Sequence, residues 1–452
     1  VERRTIIMNK KIREKLIHVA NGRQKADLVL KNAGIVNVFT EDIEIGDVAV
    51  VDGMIAGIGT YEGEVEKDMT GKYLCPGFID GHIHLESSMV APAEFEKAVL
   101  PHGTTAVITD PHEIANVAGC EGIEFMLRYT QDMTLDVFFV VPSCVPSTGL
   151  DEAGACLEAA DIEPFYENDR VIGLAEMMNS FGVNQADPAI LDKINVTLEH
   201  QKIIDGHAPL LSGQELNGYV AAGIRSDHEC SNVREAKEKF ARGQWIMVRE
   251  GTAAHNLEAL LPLFEAPYAQ RIMLVTDDKH PCDLLRDGHI DAIVRKAVQK
   301  GIDPVKAIKA GTYNAASYFG LVNHGAIAPG YCADIAVLDS LTELNVLEVY
   351  KDGVLAAENG KSLVKSSVPE MGQEIQERVY HSFHVDPVNV SQLAMEKKGE
   401  RIRVIDLNAH ELLTTERIAG WTCREGCADG VDPEEDIVKI VALERHKNTG
   451  HI

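Results

Sequence analysis

The sequence predicts an α/β protein: a (β/α)8 barrel, a small β-sandwich domain built from both of its flanks, and a partial C-terminal α/β domain. Three observations predict it. From about Pro76 to Val322, apolar strand-like runs alternate with stretches of helical period, over roughly the 250 residues such a barrel occupies. Short strand patterns broken by glycine and aspartate lie on both sides of that middle. After about residue 366 the character changes again, to a polar helix and a few isolated strand patterns.

Residues 1–26 read as an N-terminal extension. "VERRTIIMNKKIREKL" is charged and lacks the apolar core of a signal peptide, and Met8 reads as an alternative start. Residues 27–75 and 325–365 read as the β-sandwich, from "DLVLKNAGIVNV" and "GDVAVVDGMIAGIG" on one side and "GAIAPGYCADIAVLD" and "VLEVYKDGVLAAENG" on the other. Residues 76–324 read as the barrel. Its strand candidates are "TTAVIT", "DVFFVV", "VIGLAEM", "APLLSG", "IRSDHE", "WIMVREG" and "RIMLVTDD", with helices such as "AEFEKAVLPHG" and "VREAKEKFARG" between them. In residues 366–452, "SSVPEMGQEIQERVYHSF" reads as a linker and polar helix, and "IRVIDL" and "DIVKIVALERH" as strands. This last domain reads as incomplete.

Composition narrows the partners. The 452 residues carry a net charge of −27 with no offsetting basic cluster, which argues against nucleic acid, since phosphate binding needs lysine and arginine on one face. A small nucleobase carries no phosphate and stays allowed. No run approaches the roughly 20 apolar residues of a membrane helix. Nine scattered cysteines suit reduced thiols in a cytoplasm. The close pair Cys423 and Cys427 lacks a second pair to complete a zinc site and reads as structural.

Functional side chains in a barrel project from the C-terminal ends of its strands. His82 and His84 close "CPGFIDGHIHL", and alternation puts both on one face of that strand. Glu176 follows "VIGLA", His207 lies in "IDGHAP", His228 in "GIRSDHEC", and Asp277 ends "RIMLVTD". Each alone has an ordinary explanation: an aspartate capping the next helix, or a satisfied core histidine. Four histidines and two carboxylates in strand order are harder to dismiss. The set suits two divalent metals bridged by a hydroxide, with Glu176 as bridging ligand and Asp277 as general base and proton shuttle. Imidazole and carboxylate are ligands of zinc, iron and manganese alike, and no cysteine is needed.

Other polar residues crowd the same rim. "TDPHEIANVAG" offers Asp110, His112 and Glu113, with helix capping by Asp110 as the structural alternative. Glu86, Ser87 and Ser88 extend the first motif, and Asp278 and His280 flank Asp277. Glu86, Glu113 and Asp278 are the candidates for substrate contact. The loop "PSCVPST" is proline-bounded and rigid and reads as a tight connection, with lining of the mouth as the alternative.

The order His-x-His, carboxylate, His, His, Asp resembles the amidohydrolase superfamily. The surrounding wording resembles its bacterial adenine deaminases: "PGFIDGHIHLESSM", "LPHGTTAVITDPHEIANV", "VPSCVPST", "LAEMMN", "GHAPLLSG", "AAGIRSDHE", "REGTAAHNL" and "LVTDDKHP". The resemblance runs from about residue 27 to the end. It implies metal-dependent hydrolysis of adenine to hypoxanthine and ammonia, with His82, His84, Glu176, His207, His228 and Asp277 as ligands. Glu176 stands where many relatives carry a carboxylated lysine. Members of that family generally continue past this C-terminus. The cytidine-type zinc deaminase signature is not matched, since "HPCDLL" lacks its second cysteine.

The expected reaction is attack of the metal-bridging hydroxide on C6 of a purine base. Asp277 passes the proton to ammonia, and His112, backed by Asp110, polarises or protonates the ring. A cyclic-amide hydrolase with the same metal core is the enzymatic rival, and a non-catalytic scaffold is the other. Exposed barrel helices lead us to expect a homo-oligomer.

Overall fold

The computed structural model describes residues 10–365, 368–422 and 428–452, so the Cys423 and Cys427 pair and Met8 lie outside the described residues. Eight parallel strands form its centre: β1 (Phe78–Ile83), β2 (Thr104–Thr109), β3 (Asp136–Val141), β4 (Val171–Met177), β5 (Ile203–Gly206), β6 (Ser226–Asp227), β7 (Trp245–Arg249) and β8 (Ile272–Val275). They pair in sequence order as a five-stranded arc, β1 to β5, and a three-stranded arc, β6 to β8. The two arcs approach each other at both ends. Arg225 N donates to Ile204 O at 3.1 Å on one side, and Ile83 and Asp277 form a parallel bridge on the other. The sheet is therefore strongly curled.

These segments become parallel strands because they are apolar on both faces. Every residue of β1, β2 and β8 is buried, as expected for a sheet covered on both sides. Ile79, Ala106, Ile108, Val140, Ala175, Met247, Met273 and Val275 pack into one cluster drawn from six strands. Helices cover the other face. In Ile290–Gln299, buried Ile290, Ile293, Val294 and Ala297 recur at one-turn spacing. Pro188–Glu199 starts where Asp187 accepts a hydrogen bond from Ala189 N and proline occupies the first turn. Burying one such Leu, Ile or Val contributes ~1.5–3 kcal/mol, so it is these two-sided contacts that hold the strand ends in place.

Both flanks of the chain meet in one nine-stranded sheet. Its seam is Tyr73–Pro76, which pairs in parallel with Ala26–Asn37 and antiparallel with Ile335–Leu338. Residues 10–20 of the N-terminal stretch form a helix whose Leu16 and Val19 are buried against this sheet, beside Ala26, Val29 and Met54.

Two strand expectations are corrected. In "APLLSG" the strand is Ile203–Gly206 just before it, and Leu210 is exposed at φ 61°. "DIVKIVALERH" forms no strand beyond an isolated bridge between Asp432 and Ile437, and Val438 and Ile440 stay exposed. An apolar run becomes a strand only where a neighbour pairs with it. The rest of the C-terminal region holds the helix Gln373–Tyr380, packed on Cys120–Tyr129, and the hairpin Arg401–Leu407 with Thr414–Gly420. No helix among the described residues is long and apolar enough to cross a membrane.

Candidate active site

His82 is the fifth residue of β1 and His84 follows the strand, and both are buried. Glu176 lies near the end of β4, His207 follows β5, His228 follows β6, and Asp277 follows β8. The curl of the sheet brings all six together. Three donor groups, each with ligand atoms within 4.8 Å of one another, are His82–His84–Glu176, Glu176–His207–His228 and His82–His228–Asp277. Glu176 belongs to two of these. Its Oε1 lies 3.5 Å from His84 Nε2, and its Oε2 lies 2.7 Å from His207 Nδ1 and 3.2 Å from His228 Nε2. Asp277 Oδ1 sits 3.2 Å from His84 Nε2 and 3.5 Å from His82 Nε2.

The donor set fits divalent cations on two observations. Both ring nitrogens of buried His82, and Nδ1 of buried His228, have no hydrogen-bond partner in the protein, a costly state unless something else binds there. His84 Nδ1 lies 3.0 Å from the carbonyl of Asp110, which can only accept, so Nδ1 carries the proton and Nε2 is the atom turned to the cluster. Charge points the same way. Burial alone would lower the His84 and His228 pKa values, yet the facing carboxylates raise His84 well above the usual imidazole range and His228 to about 9. Burial likewise opposes ionisation of Glu176 and Asp277, but the surrounding histidines hold both well below the usual carboxylate range. The carboxylates thus make the centre electronegative, a field that protons on the imidazoles or a cation can satisfy.

Asp110 and His112 stand beside it. Cys144 N donates to His112 Nε2 at 3.3 Å, so the imidazole proton is on Nδ1, donating to Asp110 Oδ2 at 2.6 Å. Both ring nitrogens thus have partners within the chain, and Nδ1 also lies 3.7 Å from Glu176 Oε1. Asp110, His112 and Glu176 form a further donor group, and Asp110 Oδ1 is buried without a partner.

The three rim carboxylates are close neighbours. Glu113 Oε2 lies 3.2 Å from His84 Nδ1. Glu86 Oε1 accepts from Ile114 N at 3.2 Å, and burial with the charge of Glu113 pushes the Glu86 carboxyl up to about 8. Asp278 accepts from Ser87 Oγ, and burial and the charge of Asp277 raise its pKa. His280 occupies the N-cap position of the helix Pro281–Arg286.

Two further residues complete the cluster. Arg249, the last residue of β7, pairs with both oxygens of Glu229 and reaches Asp277 Oδ2 at 2.8 Å. Glu229 Oε1 is also 3.4 Å from His228 Nε2. Arg249 closes the apolar run Trp245–Val248 just as Asp277 closes its own, so the signal was present. A guanidinium is no metal ligand, so a pattern of metal donors does not include it.

Residues 73–356 match the amidohydrolase family. The chain is 44% identical over 441 residues to an adenine deaminase of Desulfatibacillum aliphaticivorans, covering 98% of this chain and 76% of that protein. It is 45% identical over 438 residues to adenine deaminase 2 of Carboxydothermus hydrogenoformans, covering 97% and 75%. The chain thus spans about three quarters of the length of these relatives. Among solved structures, a β-aspartyl dipeptidase from Fervidobacterium islandicum AW-1 superimposes with a TM-score of 0.57 at 19% identity, over 75% of this chain and 98% of that one. A D-aminoacylase gives 0.56 at 16% identity, again over 75% and 98%. Those two share the fold.

Proposed function

The chain belongs to the amidohydrolase family, among its adenine deaminases, and from that premise we infer that it hydrolyses adenine to hypoxanthine and ammonia. The observation that carries the chemistry is the position of Glu176, one oxygen toward His84 and the other toward His207 and His228. We read the eight parallel strands as a closed (β/α)8 barrel, supported by the Ile83–Asp277 bridge and the Arg225–Ile204 hydrogen bond at its two seams.

His82, His84, Glu176, His207, His228 and Asp277 are the residues proposed to hold two divalent cations, manganese or iron ahead of zinc. When bound, such ions would supply an acidified water and Lewis-acid polarisation that makes the attacked carbon more electrophilic. In the balanced reaction water oxygen bonds to C6, the C6–N6 bond breaks, and the protons of water end on hypoxanthine and ammonia. Asp277 is assigned the proton transfer. As a carboxylate at the cluster it would accept a proton from the attacking water and return it to the departing amine. Asp110 and His112 form a fixed couple beside Glu176, and the couple is assigned to polarise or protonate the purine ring near the attacked carbon. Glu86, Glu113 and Asp278 are the proposed contacts to the base edge. A half-buried carboxyl with a raised pKa, such as Glu86, can donate a hydrogen bond to a ring nitrogen while an ionised one accepts from a ring N–H.

The test is ammonia release from adenine, other 6-substituted purines and adenosine after loading with manganese or iron. Release from adenine is expected. If protein with bound metal releases none, the cyclic-amide hydrolase reading takes its place, to be assayed by ring opening of hydantoin and dihydroorotate.

A further inference from the structure

Arg249 is 3% exposed, and each of its three guanidinium nitrogens donates to a side chain of the protein. Nη1 and Nη2 form a fork on Glu229, with Nη2 3.1 Å from Oε2. Nη1 also donates to Asp277 Oδ2 at 2.8 Å, and Nε donates to Asn256 Oδ1 at 3.2 Å. One planar group thus ties together the ends of β6, β7 and β8.

Its effect is to divide the Asp277 carboxylate. Oδ1 faces His82 and His84, while Oδ2 is held by Arg249. Rotation about the last torsion of an aspartate is broad and nearly two-fold, so a carboxylate left alone exchanges its oxygens. A guanidinium cannot rotate its donors independently and so fixes the plane of the group it binds. Stability is a poor reason for the arrangement. Burying an Arg–Glu pair carries a desolvation cost that often leaves it no better than an apolar pair of equal volume. Geometry is a better one, because displacement of a reacting group by about 1 Å costs on the order of 10²-fold in rate.

We propose that Arg249, braced by Glu229, is a positioning residue that sets the orientation of Asp277 for proton transfer. This rests on the deaminase reading given above. It assigns Arg249 no contact with substrate, only control of the group that does the chemistry.

The deciding variant is Arg249→Lys, which keeps the charge and loses the fork. It is expected to lower kcat for adenine about 100-fold, with KM within about threefold and metal per chain unchanged by elemental analysis, the pattern of an interaction felt in the transition state. Arg249→Ala is expected to regain at least about tenfold of its lost kcat when ethylguanidinium is added at non-denaturing concentration, filling the vacated fork. A kcat near wild type, or a loss of kcat that follows loss of bound metal, overturns the assignment. Should Arg249→Lys not fold, Glu229→Gln keeps the guanidinium and the shape, releases its brace, and is judged by the same readouts. A wild type that releases no ammonia from adenine overturns the deaminase reading and this assignment with it. An active wild type with unaffected variants overturns this assignment alone.

Discussion

The backbone N–H of Asp277 donates to the carbonyl of His82 at 2.9 Å, tying the end of the last parallel strand to the end of the first. His84 N returns a bond to Asp277 O at 3.1 Å. Between these two bonds Asp277 is bent to φ 60°, the left-handed region that few side chains adopt. The strain sits on the residue assigned to proton transfer, and the two histidine peptides sustain it.

Asp277→Asn separates the backbone role from the chemical one. Asparagine tolerates the left-handed region as well as aspartate does, so the two bonds to His82 and His84 are expected to persist. The lost carboxylate is expected to lower kcat by about 10²–10⁴-fold, the usual contribution of general acid–base catalysis. Circular dichroism should be unchanged, and at least one metal should stay bound. Near-normal turnover would remove Asp277 from the proton path.

Gly206→Ala tests the seam between the two arcs. A Cβ built on Gly206 would lie 2.1 Å from Ser226 O and 2.8 Å from Ile224 Cγ2, so β5 and β6 must separate to admit it. The expected loss is about 1–3 kcal/mol in unfolding free energy. His207 follows directly, so weaker metal binding should accompany the lower melting temperature. A variant that melts and binds metal like wild type would show that the seam is not tight.

How far the site was legible follows from how its residues are supported. A strand buried on both faces has little room for a polar residue except at its end, so His82, Glu176 and Asp277 stand out in otherwise apolar runs. Their neighbours around the sheet were harder to read. Whether Arg249 meets Glu229 and Asp277 depends on which strand ends lie next to one another, and no local pattern states that. The tautomer of His112 was also hidden, because its Nε2 partner is a backbone N–H 32 residues away in sequence. The segment "DIVKIVALERH" departs from its expected strand for a related reason: its apolar residues suit a strand, but pairing is decided elsewhere in the chain.

Metal removal should destabilise the protein as well as silence it. Buried His82 makes no hydrogen bond through Nδ1 and has only Asp277 Oδ1, 3.5 Å from Nε2, on its other side, so stripping cations leaves a polar cost in the core. A ligand present at about 100 times its Kd stabilises by about 2.7 kcal/mol. Chelation should therefore lower the melting temperature, and manganese or iron should restore it together with activity. Equal melting curves with and without metal would argue against a cation at these histidines.

The last prediction concerns pH and a cluster outside the site. At the start of β3, Asp136 Oδ2 lies 3.4 Å from His324 Nε2 and 2.9 Å from Lys351 Nζ, and Lys351 also pairs with Asp334 at 3.0 Å. The cluster joins the parallel sheet to the flank sheet. Burial by itself would lower the His324 pKa, but the hydrogen bonds to Asp136 and Cys332 and the charge of Asp334 raise it to about 10. An unfolded histidine titrates near about 6.5, so the folded state binds the extra proton more tightly. Stability from this contact is therefore fully present below about pH 6.5 and is lost as pH rises through about 10. His324→Gln removes the titration and keeps a hydrogen-bonding side chain. Urea unfolding between about pH 7 and pH 10 should show wild type losing stability relative to the variant. Parallel curves across that window would show that His324 does not carry a proton in the folded protein.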